Sequence, residues 1–155
     1  KMLSVCRQYI KDIHHAEDVM ITGFMKVFSN LKNFENKGSF EGWIRRIMIY
    51  ECIDFIRLKK NYFNHQDIND VTISENESVY EMDDFSVDDI QNMIDNLPDG
   101  YKMVFNLYAI EGYKHQEIAE MLKINVGTSK SQLSHARKLL QQQIIDLKNK
   151  LNGTT

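Results

Sequence analysis

Proline is almost missing from this chain, with Pro98 the only one in 155 residues, and runs of alternating apolar and polar residues are nearly absent. Helices can therefore run long, a sheet protein is disfavoured, and apolar residues recur with a period near 3.6, so the expected class is all-α. Two cysteines, Cys6 and Cys52, exclude a disulfide scaffold, and without metal-type spacing they read as reduced core thiols of a cytosolic protein. No apolar run approaches the ~20 residues a membrane span needs, so no membrane role is expected. Neither a HExxH motif nor paired cysteines occur. His14, His15, Glu17 and Asp18 gather in "HHAED", but adjacent helical residues point about 100° apart and cannot all converge on one ion. Polarity at a helix start is the better reading, and neither an enzyme nor a bound cofactor is expected. The opening "KMLSVCRQYI" lacks a signal-peptide core and begins inside an amphipathic pattern, so N-terminal residues are expected to be missing.

Charge of one sign is missing in two places. Residues 66–99 hold no Lys or Arg against eleven Asp and Glu, while residues 1–65 hold eleven cations and seven acids and residues 100–155 hold eight cations and four acids. The net charge of -3 conceals two basic blocks around an acidic connector, an asymmetry that bears on partners more than the total does. The second absence is local: no acid lies between Glu120 and Asp146.

These breaks set the expected organisation, with helical domains at 1–62 and 86–152 and an acidic linker at 63–85 that lacks an apolar stripe. In the first domain a helix beginning near "HHAED" has its acids near the positive end of the dipole, and Met20, Phe24, Val27, Phe28 and Leu31 are its expected apolar stripe. "NFENKG" interrupts, and Ser39 is the expected cap of a second long helix whose apolar set includes Phe40, Ile44, Ile47 and Phe55. In the second domain Ser86 caps a helix, Leu97-Pro98 opens the next, and Gly112 ends "YKMVFNLYAIEG" in left-handed geometry. A short helix "HQEIAEML", the turn "KINVG" and a long final helix then form a helix-turn-helix. Ile118, Ala119, Leu122 and Leu133 are its expected packing residues, with Ile124 and Val126 burying the turn.

The final helix presents small, acid-free polar residues opposite Leu133, Ala136 and Leu140, as a helix in a DNA major groove must. Thr128 is its expected N-cap, with the first-turn amides available to a phosphate. Lys130, Ser131, Ser134 and His135 are the candidate base-edge residues of the first two turns, and Ser129 is a further candidate for DNA contact. Arg137, Lys138 and, from the preceding helix, Lys114 are candidates for flanking phosphates.

Together the halves resemble the extracytoplasmic-function (ECF) group of bacterial sigma-70 factors. "AEDVMITGFMKVFSNLKNF" and "SFEGWIRRIMIYECIDFIR" are similar to region 2, and "IDNLPDGYKMVFNLYAIEGYKHQEIAEMLKINVGTSKSQLSHARKLL" is similar to region 4. The resemblance implies a dissociable subunit of RNA polymerase that reads and melts the minus-10 element with region 2 and reads the minus-35 element with region 4. Its implied partners are promoter DNA, the clamp helices of the largest polymerase subunit and the flap of the second-largest, with an anti-sigma factor or an accessory DNA-targeting protein as further candidates. Asp18, Ile21, Thr22 and Met25 fall on the implied polymerase surface. Trp43, Arg45, Arg46, Tyr50, Asp54 and Arg57, with Lys59 and Lys60 beyond, fall on the implied minus-10 helix. Trp43 carries two readings, core packing or contact with unstacked bases. Two positions depart from the family: Ile21 and Thr22 replace its usual Gln-Glu, and Tyr50 replaces its common asparagine. Weaker autonomous promoter recognition is the consequence expected of those changes. The rival reading is a two-domain helix-turn-helix regulator whose first half senses or dimerises, or a sigma-derived factor that relies on a partner to reach DNA.

Overall fold

A computed structural model describes residues 1–62 and 85–152, and the expected connector 63–85 lies outside the described residues except for Phe85. Among the described residues all regular structure is helical, and two compact units are formed, the first chiefly of Lys1–Asn64 and the second chiefly of the residues that follow the connector.

In the first unit, α1 (Met2–Tyr9), α2 (Ile13–Ser29) and α3 (Phe40–Tyr62) pack mutually. Asp12 caps α2, its carboxylate accepting from the His15 amide at 2.9 Å, and that bond holds Asp12 below its ordinary carboxylate range. The acids expected in the first turn lie later: the charge at this helix end sits on the cap itself, because Asp12 is one of the strongest capping residues. Ser39 caps α3 as expected, accepting from the Gly42 amide at 3.0 Å. Between the two helices Asn36 and Gly38 both adopt positive φ, which turns the chain.

The buried face of α2 is Ala16, Val19, Gly23 and Val27. The expected stripe is corrected in part: Val27 is buried and Met20 and Phe24 are half-buried, but Phe28 and Leu31 are 74% and 48% exposed, so the burial runs about one helical position away. A parallel correction applies to α3, whose core residues are Met48, Ile49, Cys52, Ile53 and Ile56, while Phe40 is exposed. Both helices carry large apolar residues on more than one face, and on α2 the face that packs is the one with the small residues Ala16 and Gly23. A methyl group on Gly23 would overlap the sulfur of Met48, itself fully buried on α3. The glycine therefore gives back in close helix packing what it costs in helix propensity. Gly23→Ala should gain about 1 kcal/mol of propensity and lose about 1–3 kcal/mol to overpacking. The net expectation is a lower urea midpoint followed by the emission of Trp43, and Met48→Ala in the same chain should relieve the clash.

Cys6 of α1 and Cys52 of α3 are fully buried, free and hydrogen-bonded to each other. That bond, with burial, pushes the Cys52 thiol well above its ordinary value. The carboxylate of Glu51, also buried, pairs with Lys26 of α2, so the α2–α3 seam holds one compensated charge.

In the second unit α4 (Val87–Asp95) opens with a reciprocal capping box: Ser86 Oγ accepts from the Asp89 amide, and the Asp89 carboxylate accepts from the Ser86 amide, both at 3.1 Å. Pro98 occupies the N-cap of α5 (Asp99–Phe105), one position before the expected first turn. The chain continues as a π-helical turn, Asn106–Ile110, before Gly112 closes it at φ 78°. The helix-turn-helix follows as α6 (His115–Leu122) and α7 (Val126–Asn152). α7 runs on for several turns beyond the helix-turn-helix and packs against α5 and α4.

Candidate nucleic-acid interface

The first turn of α7 is positioned by Asn125, whose side-chain oxygen accepts from the Thr128 amide at 2.7 Å. Asn125, not Thr128, is thus the capping residue, and Thr128 lies inside the first turn. Asparagine ranks above threonine at this position, and its spacing of three to Thr128 was the available signal. The turn is also drier in expectation than in fact: Ile124 is half-buried and Val126 is 36% exposed.

Leu133 and Ala136 are buried on one side of α7, and Ile118 and Ala119 on α6 are buried as expected. Lys130, Ser131, Ser134, His135 and Arg137 are exposed, with Lys138 half-buried at the same face and Thr128 at its margin. At 100° per residue these side chains span one continuous half of the helix. The Ser131 hydroxyl donates to the Thr128 carbonyl at 3.0 Å, which leaves its oxygen lone pairs outward. His135 stacks on Tyr101 of α5 with centroids 5.5 Å apart, so its ring is held in place while its edge faces solvent. Lys114 is exposed at the start of α6, its amide bonded to the Glu117 carboxylate at 2.8 Å. The α7 face itself offers cations and hydroxyls without a carboxylate, the chemistry that duplex phosphates and base edges require.

Ser129 does not belong to that face. It is fully buried, and its hydroxyl lies 2.9 Å from His115 Nδ1 on α6. The ring of His115 stacks on Tyr108 at 4.7 Å, and the Arg137 guanidinium sits over that same tyrosine ring at 5.7 Å. Partial burial, then the charges of Lys130 and Arg137, hold the His115 imidazole below its ordinary range. Sequence reasoning passed over both His115 and Tyr108, since each reads alone as an ordinary helix residue.

On α3 the candidates divide. Trp43, Arg46, Tyr50, Asp54 and Arg57 recur every three or four residues and share one stripe opposite the core, whereas Arg45 lies on the core side, half-buried. Lys59 is exposed near the helix end, and the side chain of Lys60 lies outside the described residues. Trp43 closes a three-ring cluster with Phe34 and Phe40, centroids 5.1–5.8 Å apart. The cluster is at the surface, with Trp43 half-buried and Phe40 44% exposed, so packing and access coexist there. The Arg46 guanidinium covers the Tyr50 ring at 5.9 Å, and Asp54 pairs with Arg57 at 3.7 Å.

A second surface lies on α2. Ile21, Met25 and Phe28 are 55%, 65% and 74% exposed on one stripe, bordered by Asp18 and Thr22, whose hydroxyl donates to the Asp18 carbonyl. These residues leave a contiguous apolar stripe in solvent on the face of α2 away from the core. Among the described residues no group of three His, Cys, Asp or Glu side chains is placed to hold a metal ion, and no helix is long and apolar enough to cross a membrane.

Comparison with known proteins covers both units. The profile for sigma-70 region 2 matches residues 1–62 and that for sigma-70 region 4 matches residues 87–140. The ECF RNA polymerase sigma factor SigW of Bacillus subtilis is 30% identical over 95% of this chain and 84% of its own length. RNA polymerase sigma factor SigV of the same organism is 30% identical over 88% of this chain and 80% of its own. Among solved structures, the sigma factor RpoE in complex with the anti-sigma factor NepR from Bartonella quintana superposes with a TM-score of 0.62 at 19% identity, covering 92% of this chain and 89% of that one, a likeness of fold.

Proposed function

The chain belongs to the ECF group of the sigma-70 family, and from that premise we propose that it docks on core RNA polymerase through the α2 stripe and delivers the enzyme to promoters. α7 reads the minus-35 element, with Lys130, Ser131, Ser134 and His135 toward base edges and Lys114, Arg137 and Lys138 toward phosphates. The stripe of Trp43, Arg46, Tyr50 and Arg57 on α3 handles the melted minus-10 strand, with the aromatic cluster around Trp43 supplying a face for an unstacked base. The observation that carries this reading is the exposure of Ile21, Met25 and Phe28 on a helix whose opposite face already fills the core. Residues meant only for solvent would not be apolar on that stripe, and clamp helices of the largest polymerase subunit are the occupant the family suggests. The second unit faces the flap of the second-largest subunit, and the site of action is the cytoplasm, where polymerase works. An anti-sigma factor, the kind of partner held by the superposable RpoE, would inhibit by covering one of these surfaces.

Tyr50 sets the promoter preference apart. With Arg46 over its ring it offers stacking and a cation in place of the two-sided amide contact that asparagine makes. Weaker autonomous recognition, compensated by a targeting partner, is the consequence. Run-off transcription with purified core enzyme, followed by start-site mapping, tests the whole reading: the chain should create start sites that core alone lacks. Tyr50→Asn should then redistribute those sites, and unchanged choice and strength would refute the role given to Tyr50. A chain that binds duplex DNA alone but never joins core polymerase would instead be an ordinary helix-turn-helix regulator.

A further inference from the structure

We infer that His115 is a positioning residue for promoter recognition, fixing the first turn of α7 against α6 through Ser129 and Tyr108 rather than touching DNA itself. The inference rests on the reading of α7 as the minus-35 helix and adds how that helix is aimed. Three contacts converge on one ring. Nδ1 meets the fully buried Ser129 hydroxyl at 2.9 Å, the ring face lies 4.7 Å from Tyr108, and Tyr108 in turn carries the Arg137 guanidinium. The four residues come from four places: the π-helical turn, the first residue of α6, and the first and fourth turns of α7. Ser129 is flanked on the helix by Lys130 and lies one turn before Leu133, so a rotation that broke its bond would swing every base-edge candidate together.

Alternatives for the buried hydroxyl are poor. A helical serine can donate back along its own helix, but that bond does not define the angle to α6, whereas a bond to His115 does. A neutral imidazole serves either way round, since in one tautomer Nδ1 accepts from the hydroxyl and in the other it donates. Partial burial and the nearby charges of Lys130 and Arg137 favour the neutral imidazole of His115 over a third cation between them. Precise aim matters because base-edge hydrogen bonds lose strength steeply with misalignment, while phosphate contacts tolerate it.

The test uses the full chain assembled with core polymerase, and a duplex that this wild-type holoenzyme enriches from a random-sequence pool. Affinity for that duplex and for a scrambled one is measured across a salt series for His115→Phe, which keeps the stacking ring, Ser129→Ala, the double variant and His115→Asn, which restores a polar atom near Nδ1. Each single variant should lower the ratio of specific to scrambled affinity by about 3- to 10-fold, the scale of one hydrogen bond. The double variant should lose no more than either single, and His115→Asn should recover part of the ratio with the salt slope unchanged throughout. Additive losses, an unchanged ratio, or a salt slope reduced by about one would overturn the positioning role, the last by making His115 a phosphate contact. Failure of the wild type to enrich any duplex would overturn the minus-35 reading itself, a distinct outcome.

Discussion

Lys102→Met is expected to destabilise the second unit by about 3–5 kcal/mol, a large share of the stability of a domain this size. Asp95, at the end of α4, and Lys102, on α5, are both buried, with side chains 1% and 5% exposed and their charged atoms 3.6 Å apart. The Gln91 amide also donates to the Asp95 carboxylate, at 3.3 Å. Such a pair adds little net stability, since desolvation offsets its attraction, but removal of one partner leaves a buried charge uncompensated. The double variant Asp95→Leu with Lys102→Met removes both charges and should recover most of the loss. Far-ultraviolet circular dichroism in urea reads the helices, while Trp43, the single tryptophan, reports from the first unit. A low-urea loss of ellipticity with the Trp43 transition in place is the expected signature for Lys102→Met. An unfolding curve superposable on that of the parent chain would sink the argument.

Paired substitution of the α2 stripe, Ile21→Asp with Met25→Asp, should abolish measurable assembly with core polymerase, weakening it by about 100-fold or more if these residues are hot spots worth ~2–4 kcal/mol. Their exposure means that the fold should survive, with helix content and the Trp43 transition within experimental scatter of the parent. Val27→Asp is the informative contrast: on the same helix but buried, it should unfold the first unit before any question of binding arises. Retention of full affinity in the Ile21/Met25 variant would remove α2 from the polymerase surface. The change of Gln-Glu to Ile-Thr in this stripe then reads as apolar packing substituted for polar contact, and single reversions such as Ile21→Gln should lower affinity rather than raise it.

Some of the interface was legible in the residue order and some was not, and the division follows distance along the chain. The acid-free face of α7 was visible because residues three and four apart on a helix are neighbours, and the buried Leu133 and Ala136 fall where the period puts them. Caps at Ser39 and Ser86 were visible for the same reason, being bonds over three residues. Asn125 was missed through a choice between neighbouring good capping residues, which differ by less than a propensity argument resolves, and Asp12 was missed because the charge at that helix start was assigned to the acids of "HHAED". The phases of α2 and α3 were missed for a deeper reason. Each helix carries large apolar residues on an exposed face as well as in the core, and periodicity alone does not say which face is buried.

What the chain order determined by itself was the helical class, the two cationic blocks, the position of the helix-turn-helix and the family, because each depends on periodicity, local capping or a long ordered match. The tertiary structure alone decided that α2 packs through Ala16 and Gly23 and leaves Ile21, Met25 and Phe28 outside, that Ser129 turns inward to His115, and that Asp95 meets Lys102 in the dry interior. Those are matters of which surfaces come close enough to exclude water, and close approach depends on the shape of the facing helix, which local periodicity does not encode.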